Sequence, residues 1–429
     1  MTVALVRRRG FRRVLKLLET TMIGLGSTIG ASIFVLSGRA AGMAGPAVII
    51  SWALAAVIAL FSALDYAELG ASIPEAGGDV VFTQKAMGEK TAFLTGWFVW
   101  FGAMVYAALS ALGFAAYARI FFPSLHPIAV ALVPLLFFFT VNLFGSKETG
   151  RTQTLLTIFL VGVLLAISLS SLFHVRPGNY SPLMPKGVFP VIATAGYAYV
   201  AYIGFDVITT VSGEVVTAGK VVPRAIILTL LGASFIYLFS VVTMVGVTPY
   251  TELAASDTPL AYVASISMGD WGKVLATVGA IVACLSSMNA AMMGSTRYSY
   301  ALGRYGLFPK SFSRHHPRFG SPYVALAGST LIILAFICLG DVYFIAYLTD
   351  FGYLMALTLV NCSAIIMRRK EPYRFRPFKV PLYPLIPIIA IISAIFLVLT
   401  LHWQALAIGG LFSAVGLAVY LLLKLWLRK

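Results

Sequence analysis

Apolar residues in this chain come in long unbroken runs, parted by short polar stretches rich in basic residues. A helix rises about 1.5 Å per residue, so about 20 apolar residues cross the ~30 Å hydrocarbon core of a bilayer. Runs of that length predict helices, because barrel strands would show as short segments of alternating polarity. About twelve crossings follow. The first surrounds Ile23–Phe34, and Pro46–Leu69, Thr91–Phe121, Pro127–Phe144, Thr154–Phe173 and Phe189–Val216 come next. Ala225–Val247, Val274–Leu302, Val324–Leu339, Tyr343–Met367, Leu385–Leu401 and Ala405–Leu427 complete the set. No separate soluble domain is visible, so 1–429 reads as one all-α integral membrane domain.

Two runs are interrupted. The first reads Ile-Gly-Leu-Gly-Ser-Thr-Ile-Gly-Ala-Ser-Ile-Phe, with Gly24, Gly26 and Gly30 among Ser27, Thr28 and Ser32. Each glycine costs roughly 1 kcal/mol against alanine inside a helix, so continuous helix is disfavoured at mid-membrane. A break there frees backbone groups, which only protein or a water-filled cavity can surround. A close helix-packing face of small residues is the competing explanation. The sixth run places Tyr199, Tyr202, Gly204, Asp206, Thr209 and Thr210 between apolar ends. A carboxylate at that depth costs a few kcal/mol and marks function by default. Asp206 either meets a ligand or holds the break open by accepting from freed amides, and both roles stand. Interruptions five crossings apart match inverted repeats of five helices, here about 18–173 and 187–367, followed by two helices over about 384–427.

Such breaks carry charge preferences. The start of the second half of crossing one, Gly30–Ile33, offers unpaired N–H groups and a positive dipole end to a carboxylate. The end of the first half, Gly26–Ile29, offers carbonyls to a cation or an ammonium. A zwitterion suits both.

Composition narrows the class. The chain is 60% hydrophobic and 11% charged, whereas soluble domains are about half apolar and about a quarter charged. A net charge of +16 invites a nucleic-acid partner, but 26 of the 31 Lys and Arg fall on alternate connections. These begin with Arg7, Arg8, Arg9, Arg12, Arg13 and Lys16, then Lys85 and Lys90, Lys147 and Arg151, Lys220 and Arg224. Five follow over Arg297–Arg318, six over Arg368–Lys379, and last Lys424, Arg428 and Lys429. That asymmetry is the positive-inside pattern. It predicts a multi-pass protein of the cytoplasmic membrane with both termini inside, lipid as its surroundings and no nucleic acid. The run after the N-terminal arginines is too long for a signal peptide.

Other features read as structural. Asp65 and Glu68 end the second run, where they can reach water or pin a loop, and Pro74-Glu75-Ala76-Gly77-Gly78-Asp79 is turn chemistry. Cys284, Cys338 and Cys362 lie in apolar runs and read as buried thiols. His315-His316 sits in a basic loop without a third ligand. Asn289 and Tyr106 face either a cavity or a neighbouring helix, and Arg297 and Arg304 read as anchors. Neither His-Glu-x-x-His nor Gly-x-Ser-x-Gly occurs, and the intramembrane acids are isolated, so an enzyme is not indicated.

Four stretches resemble the amino acid permeases of the amino acid-polyamine-organocation superfamily. They are the glycine-broken first run; Glu68-Leu-Gly-Ala-Ser-Ile-Pro-Glu-Ala-Gly-Gly-Asp79 with Gly96-Trp97; Tyr202-Ile-Gly-Phe-Asp206 leading to Pro223-Arg224; and Arg374-Phe-Arg-Pro-Phe-Lys-Val-Pro381. The resemblance implies a leucine-transporter-type fold, a 5+5 inverted repeat with helices 1 and 6 broken, working by alternating access. It implies a substrate α-carboxylate on the amides of Gly30, Ala31 and Ser32. The ammonium would then sit on carbonyls of Gly26–Ile29 and of Ile203, Gly204 and Phe205. The family's usual Gly-Ser-Gly is Gly30-Ala31-Ser32 here, which moves the hydroxyl by one residue. Its aromatic gate matches Val200, so Tyr199 or Tyr202 would take that part, with Tyr106 also lining the site.

No cofactor is implied beyond a coupling ion. The lysine that replaces sodium in some proton-coupled members matches Leu160, and the fifth run has none. Ala283-Cys-Leu-Ser286-Ser287 is similar to the cation-binding pattern of sodium-coupled members. With carbonyls of Gly26, Ile29 and Ala283 and hydroxyls of Ser286 and Ser287 it would make a five-oxygen shell, although such hydroxyls also serve as interhelical links. Proton coupling through Asp206 or Glu214, and plain exchange, stand beside sodium. The substrate is an amino acid or a related amine or polyamine, and a non-transporting sensor with a transporter-like site is the remaining alternative.

Overall fold

The computed structural model describes residues 13–75, 77–144, 150–304 and 306–426. Arg7, Arg8, Arg9, Arg12, Lys147, Arg428 and Lys429 of the charge pattern, the side chain of Arg151 and Ala76 of the turn lie outside the described residues.

Crossing one is two helices, α1 (Leu17–Thr28) and α2 (Ala31–Ala44), parted at Ile29 (φ −78, ψ 81) and Gly30 (φ −114, ψ −151). A tight turn at Gly45 leads into α3 (Val48–Ser72), then α4 (Gly78–Met87), α5 (Glu89–Ala118), α6 (Pro127–Phe144) and α7 (Gly150–Leu172). Crossing six begins as α8 (Val188–Ala198), tightens into a 3₁₀ turn over Tyr199–Tyr202, and resumes as the single turn α9 (Val207–Thr210). After it come α10 (Ala218–Val247), α11 (Tyr250–Ala255), α12 (Pro259–Arg304), α13 (Tyr323–Leu339), α14 (Val342–Lys370), α15 (Leu385–Thr400) and α16 (Trp403–Trp426).

Among the described residues, nine stretches are long and apolar enough to cross a membrane, and α13 and α15 are shorter apolar helices. One of the nine, Ala31–Ser72, holds both α2 and α3. Divided at Gly45, the described residues make twelve crossings. The structure departs from the apolar pattern at two places. α10 begins at Ala218 rather than Ala225, because its first turns carry Lys220 and Pro223. The connection before crossing eight contains α11 and an outer segment of α12, which turns at Gly269 (φ 66, ψ −153) before the crossing proper.

Burial grades the bundle. α5 is 94% buried along its apolar window, against 28% for α6 and 17% for α16. α5 is therefore the central post and α6 and α16 are rim helices. Their exposed Leu136, Phe137, Leu411 and Leu422 are suited to lipid. Trp97 of α5 holds α16 in place, its indole donating to Phe412 O at 3.0 Å with the rings stacked at 4.6 Å.

Asp65 and Glu68 do not reach water: they are 0% and 3% exposed. Packing of the α14–α15 linker over the end of α3 encloses them. Glu68 accepts from Arg368 Nε at 2.7 Å and from Val380 N–H at 2.7 Å, and pairs with Arg376 Nε at 3.3 Å. Arg374 donates to Ser72 O at 2.9 Å. Glu68 is thus a loop pin rather than a snorkelling charge. The thiols also differ from the apolar-run reading, since Cys284 is buried, Cys362 is half-buried and Cys338 is exposed on α13. His316 organises its own loop, its Nδ1 accepting from the N–H groups of Arg318 and Phe319. Asn289 is an interhelical link, accepting from Asn142 of α6 at 3.1 Å.

At the same basic end, the segment before α1 pairs with the segment after α9. Val14 and Leu15 N–H groups donate to Glu214 O at 2.8 and 3.0 Å, and Val216 N–H donates to Leu15 O at 2.9 Å. Main-chain hydrogen bonds thereby latch crossings one and six at this end. Val216→Pro removes one donor without disturbing Val215, whose backbone (φ −83, ψ 131) already suits a following proline. A lost bond of about 1 kcal/mol shifts a two-state closure about fivefold. Hydrogen exchange in the first turns of α1 is expected to rise by that factor, and unchanged exchange would show that closure is held elsewhere.

Candidate functional site

The two breaks meet backbone to backbone. Gly204 has φ +131, and a Cβ placed on it would lie 2.6 Å from Ser27 C and Thr28 N. No other residue accepts both that dihedral and that approach. Asp206 builds the turn that presents it. Its Oδ1 accepts from Gly204 N–H at 2.9 Å, and Thr209 Oγ1 donates to its carbonyl at 2.7 Å. Of the two roles open for this carboxylate, holding the break is the one with visible contacts.

The cut end of α1 is partly satisfied. Thr28 O accepts both Gly30 N–H at 2.9 Å and the Tyr237 hydroxyl at 2.7 Å. Further back, Thr229 donates to Thr21 O at 3.2 Å and Thr157 to Met22 O at 3.1 Å. The opposite end is less engaged. Gly30 gives α2 no side-chain cap, so the first-turn N–H groups of Ala31, Ser32 and Ile33 lack an intrahelical acceptor. The Ser32 hydroxyl, fully buried, also makes no hydrogen bond. An anion is what this end can hold.

Tyr106 and Ser287 close over it. A Cβ on Gly30 would collide with the Tyr106 hydroxyl and lie 3.0 Å from Ser287 Cβ. The Tyr106 hydroxyl faces Ser32 and Ser287 without completing a hydrogen bond. Ser287 Oγ donates to Ala283 O at 2.7 Å and lies 3.1 Å from Ser110 Oγ. Of the proposed cation shell, Ile29 and Ala283 are buried, Ser286 is half-buried, and Ser287 turns toward Gly30. Gly26 instead faces Gln153 and Thr157 of α7, whose next turn carries the buried Leu160.

Tyr199 and Tyr202 both meet α3. Tyr202 donates to Trp52 O at 3.0 Å and joins Trp52 and Tyr237 in a cluster of rings 5.3–6.0 Å apart. Tyr199 is buried beside Ser62 of α3 and Asp350 of α14. Ile203 and Phe205 line a cavity of about 10 Å³, the room of one water, with Tyr66, Asp79, Asp206, Tyr353, Ala356 and Leu357. Phe205 meets Tyr66 edge-on at 5.5 Å.

Sequence reasoning missed Asp79 and Asp350. Asp79 reads as a turn residue but is 2% exposed in the first turn of α4. Asp350 is fully buried in α14 beside Val200, its oxygens short of a hydrogen bond. The cost of an acid inside an apolar run flags Asp350 directly. Nothing in the spacing brings Asp79 to crossing six.

The amino acid permease family model matches residues 15–423. The chain is 31% identical over 436 residues to a branched-chain amino acid permease of Bacillus subtilis, covering 96% of this chain and 93% of the relative. It is 30% identical to the methylthioribose transporter of the same organism, covering 97% and 94%. A branched-chain amino acid permease of Lactococcus lactis is 27% identical over 96% of this chain and 94% of the relative. These relatives are transporters, not enzymes. With its paired breaks and a match across nearly its whole length, the chain belongs to the amino acid permease family of the amino acid-polyamine-organocation superfamily.

Proposed function

We propose that this permease is a secondary transporter that carries a neutral amino acid across the cytoplasmic membrane by alternating access, with both termini inside. The observation that carries the reading is the open start of α2 set against the carbonyl end of α1 and the Gly204 turn. Amides of Gly30, Ala31 and Ser32 take the α-carboxylate. Carbonyls of Gly26–Ile29 and of Ile203–Phe205 take the ammonium. The chain acts as one domain, its two five-helix halves exchanging access around that site and α15 and α16 standing outside them. A neutral side chain is favoured because Asp206, the acid of the Gly204 turn, is already engaged by Gly204 N–H. The names of two relatives point the same way.

Transport is driven by a cation gradient or runs by exchange. For sodium, the shell is Gly26, Ile29, Ala283, Ser286 and Ser287. Uptake of labelled L-leucine into proteoliposomes, with sodium and proton gradients imposed separately, tests the scheme. L-arginine, putrescine and methylthioribose serve as competitors. Accumulation or exchange of leucine is expected, and its absence with every compound would leave a sensor. Uptake indifferent to sodium removes the Ser286 and Ser287 assignment.

Asp206→Asn keeps an acceptor for Gly204 N–H, so leucine exchange is expected to persist. Selective loss of arginine competition would place the carboxylate beside the substrate side chain. Loss of leucine exchange would mean that the charge itself holds the break.

A further inference from the structure

Asp79 and Asp206 come from different parts of the chain and line one cavity just large enough for a water. They are 2% and 6% exposed. Asp206 spends Oδ1 on Gly204 N–H, whereas Asp79 Oδ1 has no hydrogen-bond partner. The Tyr66 hydroxyl, 0% exposed, faces Asp79 from α3 and is likewise unpaired. Tyr298 of α12 and Tyr353 of α14 complete the polar surroundings. The nearest basic group along α12, Arg297, is exposed and bears on Tyr298 rather than on either carboxylate. The remaining walls are Ile203, Phe205, Ala356 and Leu357.

Two carboxylates enclosed together without a cation cannot both stay ionised, and such pairs share a proton. With Asp206 Oδ1 already turned to Gly204 N–H, three carboxylate oxygens and the Tyr66 phenol remain, short of a full oxygen shell for a sodium ion among these apolar walls. We propose that Asp79 and Asp206 hold one transportable proton between them, and that its arrival and departure seat and release α4 against the second broken crossing. The proposal rests on the transport reading and names its coupling ion. α4 is placed for this part: Gly78 backs onto Thr209 and Thr210 of α9, so Asp79 moves only if that contact slides. With the proton bound, one carboxyl donates to the other and the contact holds. With it gone, two negative charges face each other and drive α4 from α9.

The test has two arms on the full-length protein. In proteoliposomes, an acid-outside gradient is expected to drive L-leucine accumulation, with internal acidification reported by a trapped pH dye. Asp79→Asn is expected to abolish both while leucine counterflow continues. Gradient-driven accumulation that survives Asp79→Asn, or leucine entry without acidification in the wild type, overturns the proposal.

In detergent, without substrate, the infrared spectrum at neutral pH is expected to carry a protonated-carboxyl stretch that Asp79→Asn removes. An unchanged stretch overturns the proposal independently of transport. Should leucine not be carried at all, a stretch lost on substitution retains the proton site while the transport reading falls. If Asp79→Asn does not fold, Tyr66→Phe replaces it. Loss of a hydroxyl donor to the ionised pair is expected to move the disappearance of the stretch to higher pH, and an unmoved titration sinks the idea.

Discussion

Gly204→Ala is expected to abolish leucine uptake and exchange while leaving the protein folded. Alanine at φ +131 carries backbone strain of about 1–3 kcal/mol. Its methyl group would lie 2.6 Å from the backbone of Ser27 and Thr28, which cannot rotate aside as a side chain would. Overpacking of that kind adds about 1–3 kcal/mol. Together these come to about 2–6 kcal/mol, so at about 1.4 kcal/mol per factor of ten, apposition of the two breaks loses about one and a half to four orders of magnitude in population. Thermal unfolding in detergent separates this from misfolding, because the strain falls on one conformation of the breaks and not on the bundle around α5. Wild-type uptake by Gly204→Ala would show that the transport cycle never brings the two backbones together.

Glu68→Ala should produce the largest loss of stability. The carboxylate is 3% exposed and receives Arg368, Arg376 and the Val380 N–H, with the Arg376 side chain itself 7% exposed. Removing the acid leaves two enclosed guanidinium groups facing each other, a cost of about 3–5 kcal/mol for a broken buried pair. Glu68→Gln keeps an acceptor for Val380 N–H and should lose less. The measurement is thermal unfolding of the three proteins in one detergent. Equal melting points for Ala and wild type would mean that the α14–α15 linker is held by its other contacts, Arg374 to Ser72 O and the Arg368 guanidinium over the Tyr383 ring at 4.0 Å.

What was legible in the sequence followed from constraints that act locally. The break at Ile29–Gly30 could be read because glycines amid hydroxyl residues disfavour helix at a depth where lipid demands it. The break before Asp206 could be read because a carboxylate there has no inexpensive alternative. Helix bounds such as Pro127–Phe144 followed from apolar length alone. The start of α12 did not, because its outer segment before Gly269 carries no crossing-length run. Roles that depend on which neighbour a side chain meets were out of reach. Tyr199 and Tyr202 flank the break in sequence, yet the 3₁₀ turn rotates both toward α3. Glu68 could be read either as a solvated end charge or as a loop pin, because its partners lie about 300 positions away. Asp79 looked like a turn residue because crossing six, which meets it at the cavity, lies far along the chain.

The latch between the segment before α1 and the segment after α9 is built from peptide groups, so its strength depends little on which side chains those positions carry. Val14 is 60% exposed and Val216 is 36% exposed. Paired labels introduced at these two positions would report the distance across this latch in single molecules while leaving the hydrogen bonds that set it in place. A latch written in main chain is tolerant of sequence drift, and for the same reason it can be instrumented without being altered.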